Sequence, residues 1–211
     1  LIVAIREGGS ADPSVKSKLK DCIAKAKANN VPNDNIERII KKAASGGDGA
    51  NYEAVTYEGY GPNGVAVIVE ALTDNRNRTA GEVRHYFDKF GGNMGTQGCV
   101  SFMFTKKGVL VIEREDLDKD EDTVMSDALE YGASDFEADE DVFTIYTEPE
   151  DFSAVRDDLE KAGYTFVSAE LEMVPSTYTK LEDEESITKM QKMLDMFEDN
   201  DDIQNVWHNW E

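Results

Sequence analysis

Arg76 and Arg78 stand one residue apart at the predicted start of a helix, and Arg84 follows on the same element. The segment Asp74-Asn75-Arg76-Asn77-Arg78-Thr79 joins a buried strand to that helix, so free backbone N–H groups and the helix dipole add to the guanidinium charge. Arginines on a rigid element, with Asn and Thr beside them, are suited to gripping phosphate. They are equally suited to pairing with surface carboxylates such as Glu82 and Asp88, and composition does not separate the two roles. A second basic face, Lys16, Lys18, Lys20, Lys25 and Lys27, lies on the first long helix. The expected nucleic-acid-binding set is therefore Arg76, Arg78, Arg84, Lys16, Lys18, Lys20, Lys25 and Lys27.

Other chemistry finds less support. Catalysis requires an activated nucleophile, an acid–base pair or a metal. The two histidines, His85 and His208, have no Ser or Cys in an elbow-type turn, so packing or surface roles are expected of them. Asp116, Asp118 and Asp120 alternate, with Asp127 at the twelfth position of a calcium-type loop. However, Glu121 replaces the required Gly, and Asp replaces the usual bidentate Glu. A solvated charged loop is the better reading, and no metal is expected. Gly92-Asn93-Met94-Gly95 with Gly98 runs from a helix into a strand, the wrong polarity for cradling a phosphate, and reads as a tight turn. Cys22 and Cys99 lack metal spacing and are expected as buried thiols in a reducing cytoplasm. No catalytic residue, cofactor or small-molecule ligand is assigned.

The elements that position these residues follow from period and punctuation. Asp12-Pro13 opens a helix, with Val15, Leu19, Cys22, Ile23 and Ala26 on one face. Asn33 is expected to cap a second helix, whose stripe is Ile36, Ile39, Ile40 and Ala43. Gly46-Gly47-Asp48-Gly49 reads as a linker. The period then changes. Residues 54–60 and 65–72 read as strands around Gly61-Pro62-Asn63-Gly64, and a helix follows with Ala80, Val83, Phe87 and Phe90 inward and Gly91 ending it. Val100–Phe104 and Val109–Glu113 are expected as two strands joined at Lys106-Lys107-Gly108. In the remainder, helices are expected over 122–131, with Val124, Met125 and Leu129 available to the core, over 149–162, and after a capping Ser186. Strands are expected over 135–148, 165–174 and 203–210. The class is α+β, with helices layered on sheets.

Charge is uneven along the 211 residues. Residues 1–50 carry nine Lys/Arg against six Asp/Glu, residues 51–115 seven against eight, and residues 116–211 six against thirty. Repulsion of nucleic acid is thus confined to the last segment, and the first half remains eligible to bind it. No run of about 18 apolar residues exists, so no membrane-spanning segment is expected. The opening Leu1-Ile2-Val3-Ala4-Ile5 reads as the end of a helix, with further residues expected upstream.

Several motifs together resemble the YebC family. These are Ala24-Lys25-Ala26-Lys27, Pro32-Asn33-Asp34-Asn35-Ile36-Glu37-Arg38, Tyr57-Glu58-Gly59-Tyr60-Gly61-Pro62, Leu72 through Thr79, Val83-Arg84-His85, Gly91 through Gly95 and Lys107-Gly108-Val109. The likeness covers nearly the whole chain in order. The family's basic opening of Ser-Lys-Trp and Lys-Arg-Gly-Lys type is absent from this sequence. The resemblance implies a helical N-terminal domain (1–45, its front missing) followed by two α+β, ferredoxin-like domains. One comprises 50–115 plus 182–211, and the acidic 116–181 is inserted in it. It also implies a cytoplasmic or mitochondrial regulator of gene expression. Its members are labelled transcriptional regulators that bind DNA, or are tied to translation and the ribosome. The partner expected is nucleic acid, DNA or RNA, with the ribosome as a further one. The competing expectation is an acidic protein-interaction module without nucleic-acid contact. No helix presents an obvious major-groove reading face, which favours RNA or the ribosome over operator DNA.

Overall fold

The computed structural model describes residues 1, 4–5, 17–44, 51–115 and 117–211. Asp12-Pro13, Val15, Lys16, the 46–49 linker and Asp116 lie outside the described residues. In chain order the elements are α1 (Ser17–Ala28), α2 (Asn33–Ala44), β1 (Glu53–Tyr60), β2 (Ala66–Thr73), α3 (Arg76–Lys89), β3 (Asn93–Met94), β4 (Phe104–Glu113), α4 (Glu121–Glu130), β5 (Asp135–Ala138), β6 (Val142–Thr147), α5 (Phe152–Lys161), β7 (Ser168–Pro175), α6 (Glu184–Glu198) and β8 (Ile203–His208). The chain is α+β, with a helical N-terminal region and two four-stranded sheets ordered β3-β1-β2-β8 and β5-β6-β4-β7. It divides into two compact units, Ala50–Thr105 with Met173–Glu211, and Leu1–Gly49 with Lys106–Glu172.

In the unit built on the first sheet, β2 is central and its apolar run is buried on both faces. Val67 and Val69 face a core with Val83 and Phe87 of α3 and Met190, Met193 and Phe197 of α6. Ala66 and Ile68 face Val100, Phe104 and Trp207 on the other side. This is the period-2 alternation of a strand covered twice, which explains why Ala66–Leu72 holds one polar residue, Glu70. The C-terminal strand β8 returns to pair antiparallel with β2, from Val67 opposite His208 to Ala71 opposite Ile203. Gly91 ends α3 at φ +81°, and a side chain at Gly92 would meet the Tyr60 carbonyl 2.1 Å away, so both glycines are required by the turn.

The second sheet and its helices run β4-α4-β5-β6-α5-β7, the βαββαβ order of a ferredoxin-like unit. Leu110, Ile112, Phe143 and Ile145 pack against Val124 and Ala128 of α4 and Val155 and Leu159 of α5. The N-terminal helices close a smaller cluster of Ala4, Ile5 and Leu19, with Ile23 and Ile40 against it.

Several local expectations are corrected. The segment before Phe104 is a short 3-10 turn, Ser101–Met103, and β4 runs unbroken through Lys106-Lys107-Gly108 into the second sheet. Gly108 is a site of close approach rather than a turn: a Cβ there would lie 2.2 Å from the Thr147 hydroxyl and 2.7 Å from Phe152. Asp183, not Ser186, caps α6 by accepting from the Ser186 N–H at 2.8 Å. The Ile36 N–H donates to the Pro32 carbonyl, so α2 is opened by Pro32, and Asn33 is already inside it. On α4 the buried pair is Val124 and Ala128, four apart, while Met125 and Leu129 face outward at 39% and 51% exposure.

Candidate nucleic-acid interface

Asn75 caps α3, its side chain accepting from the Arg78 N–H at 3.1 Å, and the Thr73 hydroxyl accepts from the Asn75 N–H at 2.9 Å. Asp74, one residue earlier, does not cap the helix. Asp74 instead pairs with the Arg78 guanidinium at 3.0 Å. Arg78 also donates to Asp202 at 2.7 Å, and Asp202 accepts from the Thr79 hydroxyl at 2.7 Å and the Thr73 hydroxyl at 3.3 Å. Burial alone would raise the Asp202 carboxyl, but the hydrogen bonds from Arg78 and Thr79 outweigh it and hold it low. Asp202 lies 124 residues from Arg78 in sequence and just before β8, so no local signal pointed to it.

Arg78 is thus an anchor that ties the start of α3 to the strand closing the sheet. Arg76 is different: its side chain is 65% exposed, and its nearest carboxylate, Glu53, is 3.9 Å away. Arg84 is exposed one face round, with no ion pair among the described residues. Glu82 is engaged with Asn200 at 2.9 Å and not with an arginine.

The lysine face of α1 falls in the other unit. There Lys20 pairs with Asp157, and Lys25 pairs with Glu170 at 2.5 Å. Lys18 and Lys27 are exposed. The structure therefore carries Arg76, Arg78 and Arg84 on one helix, places the described lysines on a separate unit, and commits two of them, Lys20 and Lys25, to acidic partners. Asp21 on the same helix accepts from the Ser153 hydroxyl at 2.6 Å and from the buried Arg156 at 3.0 Å.

The glycine-rich loop carries an acid, not a phosphate. Glu58, 3% exposed, accepts from the Gly98 N–H at 2.5 Å, the Ser101 N–H at 2.6 Å and the Val100 N–H at 3.2 Å. Burial raises this carboxyl, but the three N–H donors outweigh it and leave it below the ordinary glutamate range. The same donors explain why residues 98–101 leave the sheet: their N–H groups are satisfied by a carboxylate instead of a neighbouring strand. Cys99 beside them is half-buried, and its thiol is raised by burial and by Glu58.

Asp127 accepts from the Tyr164 hydroxyl at 2.6 Å and pairs with Lys119 at 3.0 Å, and Asp120 caps α4 through the Thr123 N–H. No cluster of metal-binding side chains exists among the described residues. His85 is exposed on α3 against Tyr86. His208 accepts from the Trp210 N–H through Nδ1, and burial lowers its pKa. No described helix is long and apolar enough to cross a membrane.

Residues 52–210 match the family described as TACO1/YebC second and third domain, and residues 1–46 match the TACO1/YebC protein N-terminal domain. The chain belongs to the TACO1/YebC family. A probable transcriptional regulatory protein of Acetivibrio thermocellus is 63% identical over 210 residues, covering 100% of this chain and 86% of its own length. One of the same description from Finegoldia magna is 59% identical, with 100% and 86% coverage. A crystal structure of a conserved hypothetical protein from Aquifex aeolicus superposes with a TM-score of 0.87 at 43% identity, covering 100% of this chain and 85% of that one. This YebC-family chain is therefore similar throughout to proteins labelled as regulators.

Proposed function

We propose that this YebC-family protein is a cytoplasmic, non-enzymatic regulator of gene expression that binds nucleic acid, DNA or RNA, on its own or on the ribosome. The observation carrying this reading is the unequal commitment of the α3 arginines. Arg78 is consumed by Asp74 and Asp202, whereas Arg76 and Arg84 are exposed on the helix that this network fixes. A rigid element bearing exposed guanidinium groups, Arg84 without an ion pair among the described residues and Arg76 with only a long one to Glu53 at 3.9 Å, suits phosphate contact at low entropic cost. Lys16, Lys18, Lys20, Lys25 and Lys27 supply a second basic surface on the other unit, with exposed Lys27 contributing more than the paired Lys20 and Lys25. The three-domain division, with the acidic sheet inserted in the first-sheet domain, belongs to the same proposal.

A second reading is favoured by α4, where exposed Met125 and Leu129 sit among Glu121, Asp122 and Glu130. An apolar stripe flanked by acids suits a basic protein partner, and ribosomal proteins are of that kind.

The test is an anisotropy titration of labelled DNA and RNA across salt concentrations. The Arg76→Ala/Arg84→Ala protein should bind more weakly on every sequence, with its salt slope reduced by about one for each phosphate left unneutralised. Arg78→Ala should instead lower the unfolding midpoint. Unchanged affinity and salt slope in the double variant would overturn the assignment of α3.

A further inference from the structure

Phe102 is 76% exposed, although Val100 is fully buried and Phe104 is 7% exposed on either side of it. The Ser101–Met103 turn aims one aromatic side chain outward between two core residues. Tyr178 is 62% exposed. The backbones carrying the two rings are tied together, since the Ser176 N–H donates to the Met103 carbonyl at 2.8 Å and the Ser176 hydroxyl donates to it at 3.1 Å. Around the Phe102 backbone, Val100, Met103 and Phe104 pack with Met173 and Trp207 in one cluster. The Glu58 carboxylate pins the loop from behind by its three N–H bonds. Two exposed rings on a rigid support give up apolar burial without local compensation, and such a patch marks an interaction surface.

Charge identifies the partner. In a chain with 44 acidic residues, both segments that build this patch lack them: residues 89–105 and 173–181 contain no Asp or Glu. Lys180 is exposed two residues beyond Tyr178, and the side chains of Thr105, Ser176 and Thr177 face solvent around it. Aromatic rings, a lysine and hydroxyls, on segments that carry no carboxylate of their own and with Glu211 (its N–H on the Thr179 carbonyl) and Glu182 only at the edge, are the equipment for stacking unpaired bases while meeting the phosphates between them. A basic protein partner would instead be met by acids, which the rest of the chain has in abundance.

We infer that Phe102 and Tyr178 form a stacking platform for single-stranded nucleic acid, with Lys180 contacting its backbone. This rests on the nucleic-acid reading given above and adds that unpaired bases are what the first-sheet unit engages.

The test uses the 211-residue chain and a fluorescein-labelled oligo(U) of about 12 nucleotides, with the matching oligo(dT) and an RNA duplex as comparisons. Phe102→Ala and Tyr178→Ala should each weaken binding to both single strands about tenfold, or about 1.4 kcal/mol. Phe102→Trp should retain binding and show indole fluorescence quenching on adding oligo(U). Lys180→Ala should reduce the salt slope without changing the quenching, and duplex binding should respond little to Phe102→Ala. The thermal midpoints of all variants should match wild type, because the replaced side chains are solvent-exposed. If wild type binds neither single strands nor duplex, both this inference and the proposed function fall. If wild type binds but Phe102→Ala and Tyr178→Ala bind equally well, or weaken on single strand and duplex alike, the platform alone is overturned.

Discussion

Glu58 shows how one side chain sets a local course. A carboxylate with three N–H donors and almost no solvent is a stronger organiser than the glycines around it, and it draws residues 98–101 out of the sheet. Its depressed pKa has a consequence whose sign is fixed. A carboxyl with a folded pKa below its unfolded value, near about 4.3, contributes stability above that value and loses it as pH falls through the folded pKa. Urea midpoints measured from pH 7 down to about pH 3 should therefore fall more steeply for wild type than for Glu58→Gln. At pH 7 the variant should be less stable by about 1–3 kcal/mol, the cost of replacing a charged acceptor beneath buried donors. Parallel pH profiles for the two proteins would show that the loop does not depend on that charge. Arg78 teaches the converse at the same scale. An arginine that reads as a ligand contact from its neighbours is committed to a carboxylate far along the chain.

At the level of elements, the docking of α1 on α5 is an ionic joint. Arg156 is 4% exposed, reaches Asp21 of α1 at 3.0 Å and Asp157 at 3.1 Å, and lies over the Phe152 ring. Lys20 adds a pair to Asp157 from the same side. Asp21→Ala leaves the buried guanidinium with Asp157 as its one carboxylate, so it should destabilise this unit by about 1.5–3 kcal/mol, less than the full cost of orphaning a buried charge. Arg156→Met, which removes the charge but keeps the apolar stem, should cost less than Asp21→Ala. The reverse order in chemical denaturation would mean that packing by the arginine stem, not its charge, holds the joint. The same joint accounts for Lys20, already paired, contributing less toward an outside anion than Lys27.

Over the whole molecule the controlling quantity is the net charge of −22, which comes entirely from the residues beyond 115, since those before are slightly positive. Self-repulsion of that size opposes compaction, and salt screens it over a Debye length of about 8 Å at physiological strength. Raising sodium chloride from about 50 to 500 mM should therefore increase the thermal midpoint by about 2–5 °C, because repulsion among exposed carboxylates is screened more than the buried pairs are. A midpoint that falls with salt would show that the surface ion pairs outweigh the repulsion. On the proposed function, nucleic acid would meet surfaces poor in carboxylates, among them the proposed Phe102–Tyr178 platform.

Much of this protein is legible in its sequence because the deciding interactions are local. The change from helical to strand period, the Gly91 stop, the hairpin at Gly61–Gly64 and the buried run of β2 depend on neighbours within a few residues, and each lies where the pattern places it. The family motifs are likewise contiguous, and the match across both halves of the chain follows from them. What only tertiary structure decided involves partners distant in sequence. Whether Arg78 is free depends on Asp202, whether Lys25 is free depends on Glu170, and whether Val100 and Ser101 pair as the start of a strand depends on Glu58. Charge and hydrogen-bonding capacity are written in a residue's type, but whether that capacity is already spent is settled by which remote group the fold brings within about 3 Å.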